Sequence, residues 1–105
     1  PLNSVELYNP LTNNWTMLAS MRIARWRHSA SILSDGSLLI IGGRNGSNFF
    51  SNSERYYPLT NNWTMSANMI TARDAHSAFT FSDGKILVAG GYNGSASLSS
   101  AEILC

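Results

Sequence analysis

The sequence has little charge, one cysteine and no long apolar run, and each shortage excludes a class of protein. Charged residues make up 12% of the 105 residues and hydrophobic residues 44%, a balance unlike that of an intrinsically disordered chain. The longest apolar run, Leu38–Ile41, has four members, far below the roughly 18 that a transmembrane helix needs. The single cysteine, Cys105, excludes an internal disulfide and a cysteine-based metal cluster.

The net charge and the first residues of the chain point to no particular partner and to no particular compartment. The net charge of +1 gives no reason to expect nucleic acid or a membrane as a partner, and no cofactor is expected. The chain begins Pro-Leu-Asn, without methionine or a signal-like segment, so we interpret it as a piece of a longer protein. The localisation, cytoplasmic or extracellular, stays open.

One pattern dominates the sequence, a unit of 48 residues that occurs twice and begins a third time. The segment YNPLTNNWTM at 8–17 returns 48 positions later as YYPLTNNWTM at 56–65. Residues 1–48 and 49–96 align without a gap and are identical at 26 positions. Repeats with periods of about 20–50 residues are typical of solenoids, propellers and arrays.

Each unit carries the pattern of four short strands. Two apolar stretches flank Asp35-Gly36 in one unit and Asp83-Gly84 in the next, a strong β-hairpin signal because the turn requires positive φ. A third strand ends at a Pro-Leu-Thr-Asn-Asn turn, and a fourth contains the tryptophan. This predicts an all-β, β-propeller fragment of about two four-stranded antiparallel blades. The predicted division is the last two strands of a preceding blade, a complete blade and a partial blade, at residues 1–20, 25–68 and 73–105.

These marks together resemble the kelch repeat. A Gly-Gly pair closes the second strand, Asn-Gly follows, and Ser-Val-Glu-Leu-Tyr-Asn-Pro precedes the tryptophan. The pattern covers nearly the whole chain twice, and its Arg-x-x-His-Ser-Ala variant is most similar to galactose-oxidase-like kelch blades. The resemblance implies structural roles at strand ends and in packing within and between blades. The residues concerned are Gly42, Gly43, Gly90 and Gly91 for the first role, and Tyr8, Trp15, Tyr56 and Trp63 for the second.

The same resemblance implies a structural role for two repeated arginines. Arg25 and Arg73 occupy equivalent positions shortly before the first strand of each blade. We expect them to support the aromatic rings or to bond to Glu6 and Glu54.

Function is expected where the two units differ, because a feature that every blade needs is usually architectural. In a four-stranded blade the loops after the second and fourth strands emerge on one face, and most differences fall there. Arginine and aromatic side chains, which are enriched at binding hot spots, occur in these loops. The candidate partner-binding residues are Arg22, Trp26, Arg27, Arg44, Phe49, Phe50 and Tyr92. The alternative is that Trp26 and the two phenylalanines pack onto the missing neighbouring blade.

The sequence therefore predicts a non-catalytic kelch-repeat module that binds a protein partner and is completed by further blades, in the same chain or in copies of itself. The alternative is a set of blades from a galactose-oxidase-like enzyme or a secreted carbohydrate-active protein. Galactose-oxidase-like proteins hold copper with Tyr and His, and His28 and His76 recur at one position of the repeat. A repeated histidine is more often structural, and no catalytic or metal-ligating cluster stands out.

Four acceptor sequences for N-glycosylation occur, and they bear on the compartment. Asn45 and Asn93 each begin Asn-Gly-Ser and are the candidate sites if the parent protein is secreted. The Asn-Trp-Thr sequences at 14–16 and 62–64 would be hindered if their tryptophan is buried. Asparagine is also favoured in turns, so turn chemistry alone can explain the pattern.

Overall fold

The computed structural model describes residues 2–104; Pro1 and the single cysteine, Cys105, lie outside the described residues. All regular elements in this range are β-strands, and no helix within it is long and apolar enough to cross a membrane. The strands are β1 Val5–Asn9, β2 Asn14–Leu18, β3 Ser29–Ile32, β4 Leu38–Ile41, β5 Arg44–Asn45, β6 Asn48–Phe49, β7 Ser53–Tyr57, β8 Asn62–Met65, β9 Ser77–Thr80, β10 Ile86–Ala89 and β11 Ala101–Leu104.

The strands form antiparallel sheets in which neighbours along the chain are also neighbours in space. The first blade is the β1–β2 hairpin, the second is the four-stranded sheet β3-β4-β7-β8, and the third is β9-β10-β11. The short β5–β6 hairpin is an addition to the predicted strands and lies between β4 and β7 in the chain. The first strands of the second and third blades, β3 and β9, contact each other. The predicted all-β fold of antiparallel propeller blades is confirmed.

β4 holds the blades together because its apolar run packs on both faces. Side chains alternate along a strand, so Leu38 and Ile40 face the first blade while Leu39 and Ile41 face the third. The cluster toward the first blade includes Met21, Tyr56 and Trp63, and the cluster toward the third includes Met69, Ile86, Val88 and Leu104. A continuous apolar strand is the pattern expected for a sheet covered on both sides.

A buried ion pair fixes the connection that leads into the second blade. The Nη2 atom of Arg25 lies 2.9 Å from Oε2 of Glu54, and both side chains are fully buried. The Glu54 carboxylate also accepts hydrogen bonds from the backbone N–H groups of Arg22 and Ile23, at 2.6 and 3.1 Å. Both oxygens of the Glu54 carboxylate are therefore bound by the segment that leads into the second blade. These bonds compensate for the free-energy cost of burying the negative charge.

The third blade repeats this arrangement and corrects one expectation about the glutamates. Arg73 Nη2 lies 2.8 Å from Oε2 of Glu102. Of the two expected partners, Glu54 is used by Arg25, whereas Glu6 is exposed and Arg73 bonds to Glu102 instead. The reason is that each arginine inserts its side chain into the blade that follows it in the chain. There it also donates to the carbonyl of the glycine directly after the second strand, Gly42 for Arg25 and Gly90 for Arg73. Arg25 was expected to support the repeated tyrosine and tryptophan rings, but its guanidinium lies over the ring of Phe50 instead.

The Gly42-Gly43 pair is required by both backbone geometry and space. Both glycines have positive φ, 66° and 86°, a conformation that costs other residues roughly 1–2 kcal/mol. A Cβ atom added to Gly42 would lie 2.6 Å from the carbonyl oxygen of Arg73, and one added to Gly43 would lie 2.6 Å from that of Trp26. In the third blade the equivalent pair, Gly90 and Gly91, has φ of 71° and 92°.

Candidate partner-binding face

The loops that follow the second and fourth strands meet side by side at one end of the blades. We call this surface the loop face, and it comprises residues 18–27, 44–52, 66–75 and 92–99. The N–H groups of Trp26 and Arg44 each donate to the other residue's carbonyl at 3.0 Å. Asp74 and Tyr92 repeat this exchange at 2.9 and 3.0 Å. The loop after each fourth strand is thus joined through its backbone to the loop after the second strand of the next blade, at the end opposite the Asp-Gly turns.

Asp74 is the electrostatic centre of the loop face. Its side chain is fully buried, and Oδ2 lies 3.3 Å from the Nε atoms of both Arg27 and Arg44. Within residues 2–104 neither carboxylate oxygen accepts a hydrogen bond, so charge attraction is what joins the arginines to it. The Arg27 side chain is 49% exposed and that of Arg44 is 24% exposed. Arg27 therefore presents its guanidinium to solvent while Arg44 is mostly covered.

Aromatic rings from two loops of the second blade enclose the Arg44 side chain. The guanidinium carbon lies 5.0 Å from the ring centroid of Trp26 and 5.3 Å from that of Phe49, within the range of a cation–π contact. Phe49 in turn meets Tyr92 of the third blade edge to face, with centroids 5.7 Å apart. These contacts and the ion pairs of Asp74 connect the loops of the second and third blades into one group.

Two of the predicted partner-binding residues have other contacts. Arg22 is exposed, and its Nε atom donates to the carbonyl oxygen of Trp63 at 3.4 Å, toward the outer strand β8. Phe50 is half-buried beneath Arg25, whose guanidinium carbon lies 5.2 Å from its ring centroid. The residues that the structure brings together on the loop face are Trp26, Arg27, Arg44, Phe49 and Tyr92, with Asp74.

Of the aromatic residues on the loop face, Phe49 contacts the next blade, whereas Trp26 contacts Arg44. Phe49 lies against Tyr92 and is so close to Gly94 that a Cβ atom there would be 3.0 Å from its ring. Trp26 stacks on Arg44 and keeps 44% of its surface exposed. Phe49 is thus a contact between the second and third blades, and packing of Trp26 onto a further blade stays a prediction.

Asp74 was not among the predicted partner-binding residues. Aligning the two units shows it only as the residue that stands in the second unit where Trp26 stands in the first. A usable signal exists, because the charged residues at the loop-face positions that differ between units are basic in the first unit and acidic in the second. Arg27 and Arg44 are replaced by Ala75 and Tyr92, while an aromatic residue becomes the acid Asp74. Opposite charges gained by adjacent blades at the same end of the strands predict a contact between blades.

The repeated tyrosine and tryptophan form the same ring pair in different environments. Tyr56 and Trp63 have ring centroids 5.0 Å apart, and Trp63 is buried against the first blade, donating its Nε1–H to the carbonyl of Ala19 at 2.8 Å. Tyr8 and Trp15 lie 5.1 Å apart, yet Trp15 is 64% exposed. The ring pair is therefore a local feature of the repeat, whereas its burial depends on an adjacent blade.

Comparison with known sequences identifies the repeat. A sequence model of the kelch motif matches residues 1–22, 25–70 and 75–105, which include the Gly-Gly pairs and the tyrosine–tryptophan pairs described above. The chain belongs to the kelch-repeat family. The second blade is thus a kelch blade whose Gly42-Gly43 pair and Trp63 have the contacts given above.

Similar curated proteins match slightly less than half of the chain. Human Kelch-like protein 15 is 42% identical over 50 residues, which cover 48% of this chain and 8% of that protein. The human Influenza virus NS1A-binding protein is 47% identical over 45 residues, covering 43% of this chain and 7% of that protein. The matched segment is therefore a small part of each relative.

The repeated histidines lie at the start of the first strand of each kelch blade. His76 is buried, and its Nε2 atom is 2.7 Å from the Ser29 hydroxyl of the preceding blade. Burial, followed by the positive charge of Arg73, lowers the pKa of His76 below its ordinary value of 6.5. Within residues 2–104 there is no group of three or more His, Cys, Asp or Glu side chains that could hold a metal ion.

Acidification is expected to weaken the kelch blades through His76. Because its pKa is lower in the folded chain than in the unfolded chain, the unfolded chain binds the proton more readily. The contribution of neutral His76 is present above about pH 6.5 and is lost as the pH falls. Chemical denaturation at about pH 7.5 and pH 5.5 should give a lower free energy of unfolding at the lower pH. His76→Gln should reduce this difference, and an equal difference in the variant would contradict the assignment.

The two Asn-Gly-Ser sequences occupy equivalent loops but differ in local structure. Asn45 is exposed in β5, directly before the Gly46-Ser47 turn of the β5–β6 hairpin. Asn93 is also exposed, and its side-chain oxygen accepts hydrogen bonds from the N–H groups of Ser95 and Ala96, both at 2.9 Å. In the Asn-Trp-Thr sequences, Trp63 is buried and Trp15 is exposed.

Proposed function

We propose that this kelch-repeat chain serves as a non-catalytic module that binds a protein partner through its loop face. The observation that carries the proposal is the exposed rim around Asp74. Trp26, Arg27 and Tyr92 are each partly exposed, while Arg44 and Asp74 beneath them are largely or fully covered. Aromatic and arginine side chains held on a fixed base are the residue types that dominate binding hot spots, because they lose little conformational entropy on binding.

The charges of the loop face favour an acidic partner surface. Arg25 and Arg73 are paired with glutamates inside the blades and do not contribute to the surface. The remaining charged residues of the loop face are Arg22, Arg27, Arg44 and Asp74, an excess of two positive charges. Complementary charges chiefly increase the rate and specificity of association. One relative, by its name, binds the influenza virus protein NS1A, which supports a protein as the partner.

Alanine substitutions on the loop face should weaken partner binding without unfolding the blades. In the complete protein, Trp26→Ala and Arg27→Ala together are expected to reduce affinity for a partner identified by cross-linking by at least about tenfold, as expected for hot-spot residues. Arg22→Ala tests whether the face extends toward β8. Affinity would be measured by calorimetry with the purified partner.

Lys85→Ala provides the matched control, because it removes an exposed positive charge next to an Asp-Gly turn at the opposite end of the strands. This variant should bind as tightly as the unmodified protein. Equal losses for Lys85→Ala and Arg27→Ala would indicate a general charge effect. No loss for the Trp26 and Arg27 pair would contradict the proposed function.

A further inference from the structure

The chain contains two Asn-Gly dipeptides at equivalent positions of the repeat, Asn45-Gly46 and Asn93-Gly94. In such a dipeptide the backbone nitrogen of the glycine can attack the side-chain carbonyl carbon of the asparagine, because glycine has no Cβ to obstruct the approach. The attack closes a five-membered succinimide ring and releases ammonia. Water then opens the ring, giving aspartate or isoaspartate. The reaction needs a rotatable side chain and an accessible glycine N–H.

The first dipeptide meets both requirements. Asn45 is exposed, and no hydrogen bond restrains its side chain within residues 2–104. Gly46 has φ of 62°, and a Cβ atom added to it would meet nothing within 4 Å, so the turn is open to solvent. The hairpin that holds it has only two residue pairs, Arg44 with Phe49 and Asn45 with Asn48. Arg44 and Phe49 are held by the loop face, so only the Asn45–Asn48 pair beside the turn must open for Asn45 to adopt the backbone geometry for attack.

The second dipeptide has the same residues and a different restraint. The Asn93 side-chain oxygen accepts two hydrogen bonds, from Ser95 N–H and Ala96 N–H. The Asn93 backbone N–H also donates to the carbonyl of Ala96 at 3.2 Å. Its amide is thereby held in the loop, and the bonds must break before the carbonyl carbon can rotate toward Gly94. The ring of Phe49, close to Gly94, restricts this loop further.

We infer that Asn45 is a site of spontaneous deamidation in the folded protein and that Asn93 is protected from it. At Asn45 the Gly46 nitrogen loses its proton and bonds to the side-chain carbon, the bond from that carbon to the amide nitrogen breaks, and the amide group takes up a proton and leaves as ammonia. Hydrolysis of the succinimide by water yields aspartate or isoaspartate at position 45. The net change in either product is one amide replaced by one carboxylate, and no oxidant or reductant is involved.

Deamidation of Asn45 places a negative charge next to Arg44, which lies at the centre of the loop face. Position 45 follows Arg44 directly, and deamidation lowers the excess positive charge of that face by one. The isoaspartate product also adds a methylene to the backbone of the β5–β6 hairpin, which alters its register. A resulting loss of affinity for an acidic partner rests on the proposed function, whereas the deamidation itself does not.

Peptide mapping by mass spectrometry of protein produced without glycosylation tests the inference. The chain is aged in mildly alkaline buffer, folded in one sample and dissolved in guanidinium chloride in the other. In the folded sample Asn45 should deamidate about tenfold faster than Asn93, because the two hydrogen bonds at Asn93 must open first. In the denatured sample the two asparagines should react at the same rate. Asn45→Gln, which disfavours the five-membered ring, should remove the product at position 45 and leave the rate at Asn93 unchanged.

Two results would overturn the inference. Equal rates at Asn45 and Asn93 in the folded chain would mean that the loop structures do not control the reaction. An excess at Asn45 that persists in the denatured chain would assign the difference to flanking sequence rather than to the fold. Neither outcome bears on the loop face as a binding surface, which is tested separately by Trp26→Ala and Arg27→Ala.

Discussion

Trp63→Ala should reduce the free energy of unfolding of the 105-residue chain by about 3–5 kcal/mol, as is typical for removal of a large buried ring. Trp63 is 4% exposed and belongs to the apolar cluster between the first and second blades. Its Nε1–H donates to the Ala19 carbonyl, which the substitution leaves without that donor. The loss therefore combines a cavity, a missing ring contact with Tyr56 and a broken inter-blade hydrogen bond. Chemical denaturation of the two chains measures it.

Trp15→Ala is the matched control, since it removes the same residue from the same position of the preceding repeat. Trp15 has the equivalent ring contact with Tyr8 but is 64% exposed in this chain. We expect a cost of about 1 kcal/mol or less, because little buried surface is lost. Similar losses for Trp15→Ala and Trp63→Ala would contradict the packing of Trp63 between blades.

Glu54→Ala is expected to have an effect of similar size, about 3–5 kcal/mol, because it leaves a buried charge without its partner. Burial lowers the pKa of Arg25, and the hydrogen bond and charge of Glu54 act against that shift. Without the carboxylate, the Arg25 guanidinium keeps the carbonyl of Gly42 at 2.9 Å but loses its counter-charge. The backbone N–H groups of Arg22 and Ile23 also lose their acceptor. The free energy of unfolding from denaturant titration is the measurement.

Two variants separate this ion pair from a general charge effect. Glu6→Ala removes the exposed glutamate at the same repeat position and should change stability by no more than about 0.5 kcal/mol. The double variant Arg25→Met with Glu54→Leu removes both charges, and it should be more stable than Glu54→Ala alone. If Glu54→Ala were as mild as Glu6→Ala, the buried pair would not stabilise the blade.

Much of the fold follows from local sequence, and the candidate site follows only in part. The Asp-Gly turns, the Gly-Gly pairs and the 48-residue period predict the strands, because turn type and side-chain alternation depend on residues close in the chain. The β5–β6 hairpin was missed, since strands of two residues have no periodicity to detect. The loops that differ between units lie together at one end of the blades, and their role in binding stays a prediction. Their sequence does not separate Arg22, directed toward β8, from Arg27, paired with Asp74.

The repeated motifs were enough to predict kelch-like blades, with Tyr8, Trp15, Tyr56 and Trp63 as packing residues. The structure adds that Trp63 is buried whereas Trp15 is exposed, that Arg25 pairs with Glu54, and that Asp74 lies close to two arginines of the preceding blade. The physical reason is the range of the interactions. Turns and strand pairing are set by neighbours in the chain, whereas burial and ion pairing depend on residues about 30 to 50 positions away, which the packing of adjacent blades brings together.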